Sequence, residues 1–437
     1  MRNTIFESKR FSWKNLTFSR NTMGTSNFDY FLGALVLIVI AGIFAGLSAW
    51  FEQNGRIYGL DIDGWGHLIN RLKNNGHDLA GLFQDPSMFR GPVIPFLFGL
   101  SYYIAPFEET VLVLNVIAFS FAVGLLFIAF CHLGGNHVIG TLAILFWLAY
   151  LYAERGIFGY YYGEPIFTLL SSFLFLTVGM LVIRPRLWIA LISVGTAGLL
   201  LLSRSPFLLV VSCIPFILWF HLDPKVRKKV ILLFTISFIL VFSPWTIRNL
   251  IVHGEFVPFT TQDAFQGFYL KGDSMPTNYN RTILEFKNLE GEAKKLNEIE
   301  RQRYWFNLSF EQIKQNPIGQ VRLIVRKTLR FWVYLPPHSW VPTLKTFIFS
   351  IIFFPLFCYG IICFRKHFLV HLCTMWFVCL WFVHAMLHTE LRYNFPVMPM
   401  MFVLAIVGLF HLLSNLTKVQ INLGVFKFGK SFQDLEV

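Results

Sequence analysis

Ten strongly apolar runs of roughly 16 to 22 residues, nearly devoid of Asp, Glu, Lys and Arg, recur along this 437-residue chain. Each is close to the length at which a helix crosses a hydrocarbon layer of ~30 Å. They cover residues 31–50, 110–131, 137–153, 165–183, 187–203, 206–221, 229–244, 346–364, 368–386 and 395–414. A bilayer interior offers no water to backbone N–H and C=O groups, so segments of this kind fold as helices. Composition agrees: 55% of residues are hydrophobic, 14% are charged and the mean hydropathy is +0.57. The expected fold is an all-α polytopic membrane protein with about ten transmembrane helices. The first run follows about thirty polar residues with scattered charge and no small-residue cleavage site, so it reads as a retained span.

An eleventh apolar run, "GPVIPFLFGLSYYIAPF" at 91–107, is short and carries Pro92, Pro95 and Pro106. Whether it crosses decides which loops face outward, and the basic residues answer that. If it does not cross, one side receives Arg2, Lys9, Arg10, Lys14 and Arg20, then "RPR" at 184, "DPKVRKK" at 223, "FRKH" at 364 and the C-terminal lysines. That is a consistent cytoplasmic set, and it leaves 91–107 lying on or dipping into the outer face. The organisation that follows is a cytoplasmic segment 1–30, a transmembrane module 31–244 with a first exterior loop 51–109, a mixed exterior (periplasmic) loop domain 245–345, C-terminal transmembrane helices 346–414 and a cytoplasmic tail 415–437. The net charge of +13 is spread over loops beside the spans, which fits orientation and anionic lipid and excludes nucleic acid as a partner. The six cysteines fall in or at the edge of apolar runs and read as small buried hydrophobes.

The exterior loops carry the polar chemistry. In "LDIDGWGHLINRLKNNG", Trp65, Leu68, Ile69 and Leu72 make one stripe of an amphipathic interfacial helix, with Asp61 or Asp63 at its start. A cap needs one aspartate; the other is a candidate base or metal ligand at the membrane surface. The next loop supplies Glu154, Arg155 and Glu164, with Tyr160, Tyr161 and Tyr162 as interfacial anchors. Glu164 precedes Pro165 and complements a helix N-terminus. Arg248 and Asn249 lie one turn beyond Pro244, where a guanidinium can clamp a phosphate or snorkel to headgroups. Arg322, Arg326 and Arg330 recur every four residues, as on an interfacial helix whose arginines face anionic lipid. "LEGEAKKLNEIERQRYWF" reads as a soluble helix with a solvated face. His388, Glu390 and Arg392 stand at the mouth of the last span.

The order of these features, an aspartate helix after the first span, "FRGPVIPFLFGLSYYI", "EPIFTLLSSFLFL", "PWTIRNLIVHGEFVPFTT" and "LRYNFPVMPM", resembles the GT-C class of integral-membrane glycosyltransferases. Within it, the chain looks like the bacterial relatives of protein O-mannosyltransferases and aminoarabinose transferases, over residues 30–415. The family's aromatic residue four positions after its first-loop aspartate points to Asp61 through Trp65, with tryptophan in place of the commoner tyrosine. The resemblance implies a multi-pass protein of the bacterial inner membrane with its active site on the periplasmic face. Its donor would be a polyprenyl-phosphate-linked sugar and its acceptor an envelope glycan such as lipopolysaccharide, a lipid or a protein. It implies Asp61 as the base or its orienter, with Asp63 and Glu164 assisting. Arg90, Arg248, Asn249 and Arg392, with Arg155 and Arg204, would hold the lipid phosphate. Mg²⁺ or Mn²⁺ is the possible cofactor, on Asp61 and Glu164 if a metal is used.

Two other functions share this outline. A lipid or glycan transporter would place ionisable groups near the midplane of the spans, whereas here they gather in loops. A glycan polymerase or ligase using a lipid-diphosphate-linked oligosaccharide shares the large exterior loop, and the motif order favours the monosaccharide transferase over it.

Overall fold

A computed structural model describes residues 27–54, 91–104, 109–134, 136–153, 163–258, 260, 288–289, 291–332, 344–387, 389, 391–417, 421–423 and 426–428. The described residues are almost entirely helical: α1 (Asn27–Asn54), α2 (Val93–Ile104), α3 (Glu109–Gly134), α4 (His137–Ala153), α5 (Glu164–Ile183), α6 (Leu187–Ser203), α7 (Leu208–His221), α8 (Pro224–His253), α9 (Glu298–Gln315), α10 (Pro317–Trp332), α11 (Leu344–Phe364), α12 (Phe368–Met386) and α13 (Met398–Thr417). A short antiparallel hairpin, β1 (Ile421–Leu423) and β2 (Phe426–Phe428), pairs Ile421 with Phe428. Among the described residues, six helices are long and apolar enough to cross a membrane: α1, α3, α5, α8, α12 and α13. The shorter apolar helices α4, α6, α7 and the described end of α11 occupy the remaining expected segments. The chain is therefore a helical, multi-pass membrane protein.

Close packing of small residues fixes how these helices run. A methyl group on Gly33 would meet Phe127, one on Gly124 would meet Ile38, and one on Gly42 would meet Ser120. Positions rise along α1 as they fall along α3, so the two helices are antiparallel. The chain between them consequently starts and finishes at the same end of the bundle. Within it, α2 has 12 residues and a length of about 18 Å, too short to cross ~30 Å of hydrocarbon. It packs on α3 and α6. Elsewhere, Gly360 of α11 and Gly408 of α13 sit back to back, each against the other helix's backbone, which brings the two axes close.

The apolar core lies between the helices and is rich in rings. Phe119, Trp147 and Phe395 form one cluster, with centroids 5.1 to 5.5 Å apart. Trp376 of α12 packs edge-on to Phe175 of α5 and donates to Ser171 Oγ at 2.8 Å, so the indole N–H is satisfied as burial demands.

Two regions differ from the expectations above. The helix expected over 229–244 continues through Pro244 to His253, so Arg248 and Asn249 belong to its last turns. Pro244 has no N–H to give Leu240 O, and the hydroxyl of Ser243 donates to that carbonyl at 3.1 Å instead. In α10 the three arginines do not share one outward face: Arg322 is exposed, Arg330 half-buried and Arg326 buried. Arg326 and Lys327 are buried, while Ile318, Val321 and Val325 are exposed. The row Arg322, Arg326, Arg330 lies on the flank between the core-facing side and that apolar side, because four residues advance 400°, not 360°, around a helix. In α9, Trp305 is fully buried and Phe306 and Phe310 are exposed. Its face is therefore less polar than "LNEIERQRYWF" suggests, although its start is a capping box: Asn297 Oδ1 accepts from Glu300 N at 2.9 Å and Glu300 Oε2 from Asn297 N at 3.1 Å.

Lys327 donates its Nζ to Leu387 O at the end of α12. Burial pushes its ammonium down to about 7. The unfolded chain keeps an ordinary lysine near 10.4, so between these values it binds more protons than the native state, and stability rises with pH. Lys327→Met should therefore raise the melting temperature of the detergent-solubilised protein most at about pH 6, with the gain shrinking toward about pH 10. A gain independent of pH would contradict this assignment.

Candidate functional site

Arg204 and Glu164 form the centre of the site. The sequence "SRSP" ends α6 because Pro206 has no N–H to give the Leu202 carbonyl and its ring would crowd that carbonyl in a continued helix. Arg204 therefore stands extended (φ −154°, ψ 109°) between α6 and the 3₁₀ turn Ser205–Phe207. Glu164 is the first residue of α5, followed by Pro165. Their side chains meet at 3.0 Å, Arg204 Nη1 donating to Glu164 Oε1, with side-chain exposures of only 13% and 2%.

Aromatic rings enclose this pair. The guanidinium lies 4.3 Å from the Tyr393 ring centre and 4.9 Å from that of Phe167, each contact contributing on the order of 0.5–2 kcal/mol. Tyr393 stacks on His384 at 4.5 Å, and the imidazole also stacks on Phe331 of α10 at 6.0 Å. Glu164, Phe167, Arg204, Phe207, Leu380, His384, Tyr393 and Pro396 line a small cavity of about 10 Å³, near the room that one water requires.

The motifs singled out in the sequence converge here. A methyl group on Gly91 would collide with the backbone carbonyl of Leu202, so glycine is what lets the chain at position 91 lie against a residue two before Arg204. In "RYNFP", Tyr393 faces Arg204, Asn394 donates to Tyr150 OH at 2.9 Å and Phe331 O at 2.8 Å, and Phe395 fills the aromatic core. Asn394 thus ties α4, α10 and the start of α13 together under the cavity.

The stretch "PWTIRNLIVHGEFVP" folds back on itself. Gly254 adopts φ +70° after α8 and its N–H caps Leu250 O at 2.8 Å, a left-handed turn that glycine makes without penalty. The returning chain is then held by the fully buried Asn249, donating to Val257 O at 2.9 Å, and by Thr246, donating to Pro258 O at 3.1 Å. Arg248 donates to Asn249 Oδ1 at 2.9 Å and lies over Trp245. Asn249 is thus a structural tether. Gly198 of α6 is in tight contact with Val241 of α8. The two helices run parallel, separated by the return of α7, so Arg204 and Arg248, six and seven residues further on, both project to the same end.

Asp61, Asp63, Arg90 and Arg155 lie outside the described residues, as do His388 and Glu390. Arg392 is described only as backbone, in the 3₁₀ turn Leu391–Asn394. Of the expected site residues, Glu164 and Arg204 are in direct contact. Sequence reasoning missed His384, Phe167 and Phe207. The first lies four residues before the "HTEL" stretch and looks like one more aromatic of its span, and the others are indistinguishable from core phenylalanines.

Of the two residues expected to hold a divalent ion, Glu164 has one oxygen on the Arg204 guanidinium, and Asp61 lies outside the described residues. No family model matches the chain, and no curated protein matches it either.

A nearly buried ion pair leaves an uncompensated charge when one partner is removed. Arg204→Met should lower unfolding stability by about 3–5 kcal/mol, and adding Glu164→Gln should recover a substantial part of the loss. Thermal or denaturant unfolding of the four forms in one detergent measures this, and additive effects would contradict the pairing.

Proposed function

We propose that the protein is an integral-membrane glycosyltransferase that moves a sugar from a polyprenyl-phosphate donor to an envelope glycan, lipid or protein acceptor. The observation that carries this reading is the convergence of the Glu164–Arg204 pair with the Gly91 turn and the Tyr393–Asn394 turn at one end of the helix bundle. The chain bearing Asp61, Asp63 and Arg90 leaves α1 and returns at Gly91 at that same end. A planar guanidinium set at the end of uncharged helices suits a phosphate carried on a lipid tail. The positively charged loops at the other end assign it to the cytoplasm. That orientation, with ten spans and both termini inside, makes the site end periplasmic in a bacterial inner membrane.

In this reaction the acceptor hydroxyl oxygen bonds to the anomeric carbon as the bond from that carbon to the phosphate oxygen breaks. The polyprenyl phosphate leaves with the electron pair, and the acceptor proton passes to a carboxylate. Asp61 is the proposed base, with Asp63 as its cap, partner or replacement. Arg204 stabilises charge developing on the departing phosphate. In the resting arrangement Glu164 neutralises Arg204, so an incoming phosphate competes with that carboxylate for the guanidinium. Arg90, Arg155, Arg248 and Arg392 are the further cations proposed to steer the anion. If Mg²⁺ or Mn²⁺ is used, Asp61 and Glu164 would hold it and it would offset charge on the departing phosphate.

The test is turnover of a panel of polyprenyl-phosphate sugars by purified protein, read as release of free lipid phosphate. Wild type should consume at least one donor, Asp61→Asn or Asp63→Asn should lose about 10²-fold or more, and Arg204→Lys should lose about tenfold as the fork becomes a point charge. Full activity of both aspartate variants would overturn the mechanism.

A further inference from the structure

The side of α10 opposite the protein core is apolar and uncovered. Ile318 is 82% exposed, Val321 61%, Val325 49% and Leu329 42%, and their spacing of three and four residues makes them a single stripe. The core-facing side carries Leu323, Lys327 and Phe331, all buried, so the helix has turned an apolar face outward while burying a lysine. On α9, joined to α10 through Asn316, the exposed Phe306 and Phe310 stack 6.2 Å apart with Ile313 beside them.

We infer that this stripe rests on the lipid leaflet, with α10 lying as an interfacial helix at the site end of the bundle. Two observations identify lipid as its occupant. The first is continuity with the lipid-facing surface of the spans. Trp332, at the end of α10, packs on Phe354 of α11 at 4.6 Å and on Phe377 of α12 at 4.5 Å, and Phe354 and its neighbour Ile351 are themselves exposed on an apolar helix. The stripe thus runs directly off a surface that hydrocarbon must cover. The second is charge. Arg322 and Arg330 flank the stripe and Lys314 precedes it, the pattern in which apolar residues enter the headgroup boundary while cations meet lipid phosphates. Arg326, on the same flank, is buried toward the core. The surface therefore sets the level of the bilayer against the Glu164–Arg204 site, whether or not that site transfers sugar.

Photocrosslinking of the full-length protein in phosphatidylglycerol and phosphatidylethanolamine nanodiscs tests this. Benzoylphenylalanine replaces Ile318 or Val325 in turn, with the exposed Glu311 as the water-facing control, and adducts are read by mass spectrometry. Lipid adducts at 318 and 325 should exceed those at 311 by roughly fivefold or more. Equal lipid yields at the three positions, or adducts at 318 and 325 going to the chain itself or to a second copy, would overturn the inference. Both replaced side chains are exposed, so a folding defect at one leaves the other to decide.

Discussion

An ion pair held almost out of water at the end of uncharged helices governs what can surround it. Arg204 and Glu164 each demand compensation that hydrocarbon cannot give, and they find it in one another and in the faces of Phe167 and Tyr393. That requirement places the end of α6, the start of α5 and the turn before α13 at fixed distances. The same turn then supplies Asn394, whose amide links Tyr150 and Phe331. A polar cluster of this sort is strongly directional, whereas apolar contacts between helices are not. It therefore supplies register to a bundle whose other contacts are interchangeable methyl groups and rings.

Glycine supplies the second constraint. Gly91 against Leu202, Gly198 against Val241 and Gly360 against Gly408 are places where a side chain would force helices or turns apart. The first of these explains why a motif far from Arg204 in sequence ends beside it. Gly254 explains a different motif: its left-handed turn lets the segment after α8 fold back onto Thr246 and Asn249. Part of what makes "PWTIRN" distinctive is thus the anchoring of a return, and only Arg248 within it remains as a ligand candidate.

Much of the fold was legible in the sequence because hydrocarbon imposes one rule on every span. The runs 137–153, 187–203 and 368–386 coincide with helices, and the proline-rich 91–107 segment contains a helix too short to cross. Pro244 misled as a helix end because a proline's lost hydrogen bond can be replaced locally inside a buried bundle. Arg326 of α10 misled because spacing reveals that residues share a side, not which of them meets the core. Glu164 was visible as a carboxylate before a proline. Its bond to Arg204, 40 positions away, was not, since no periodicity encodes a contact between two helix ends. His384 escaped for the same reason: its importance comes from Tyr393 and Phe331 on its faces.

The central claim is that Arg204 is the seat of a lipid-borne phosphate. Direct binding of undecaprenyl phosphate to the purified protein by native mass spectrometry tests it without requiring any sugar, acceptor or turnover. Wild type should bind, Arg204→Gln should weaken binding by about tenfold or more (~1.4 kcal/mol), and Asp61→Asn should bind as wild type does. Equal affinity of the wild-type and Arg204→Gln proteins would contradict the account.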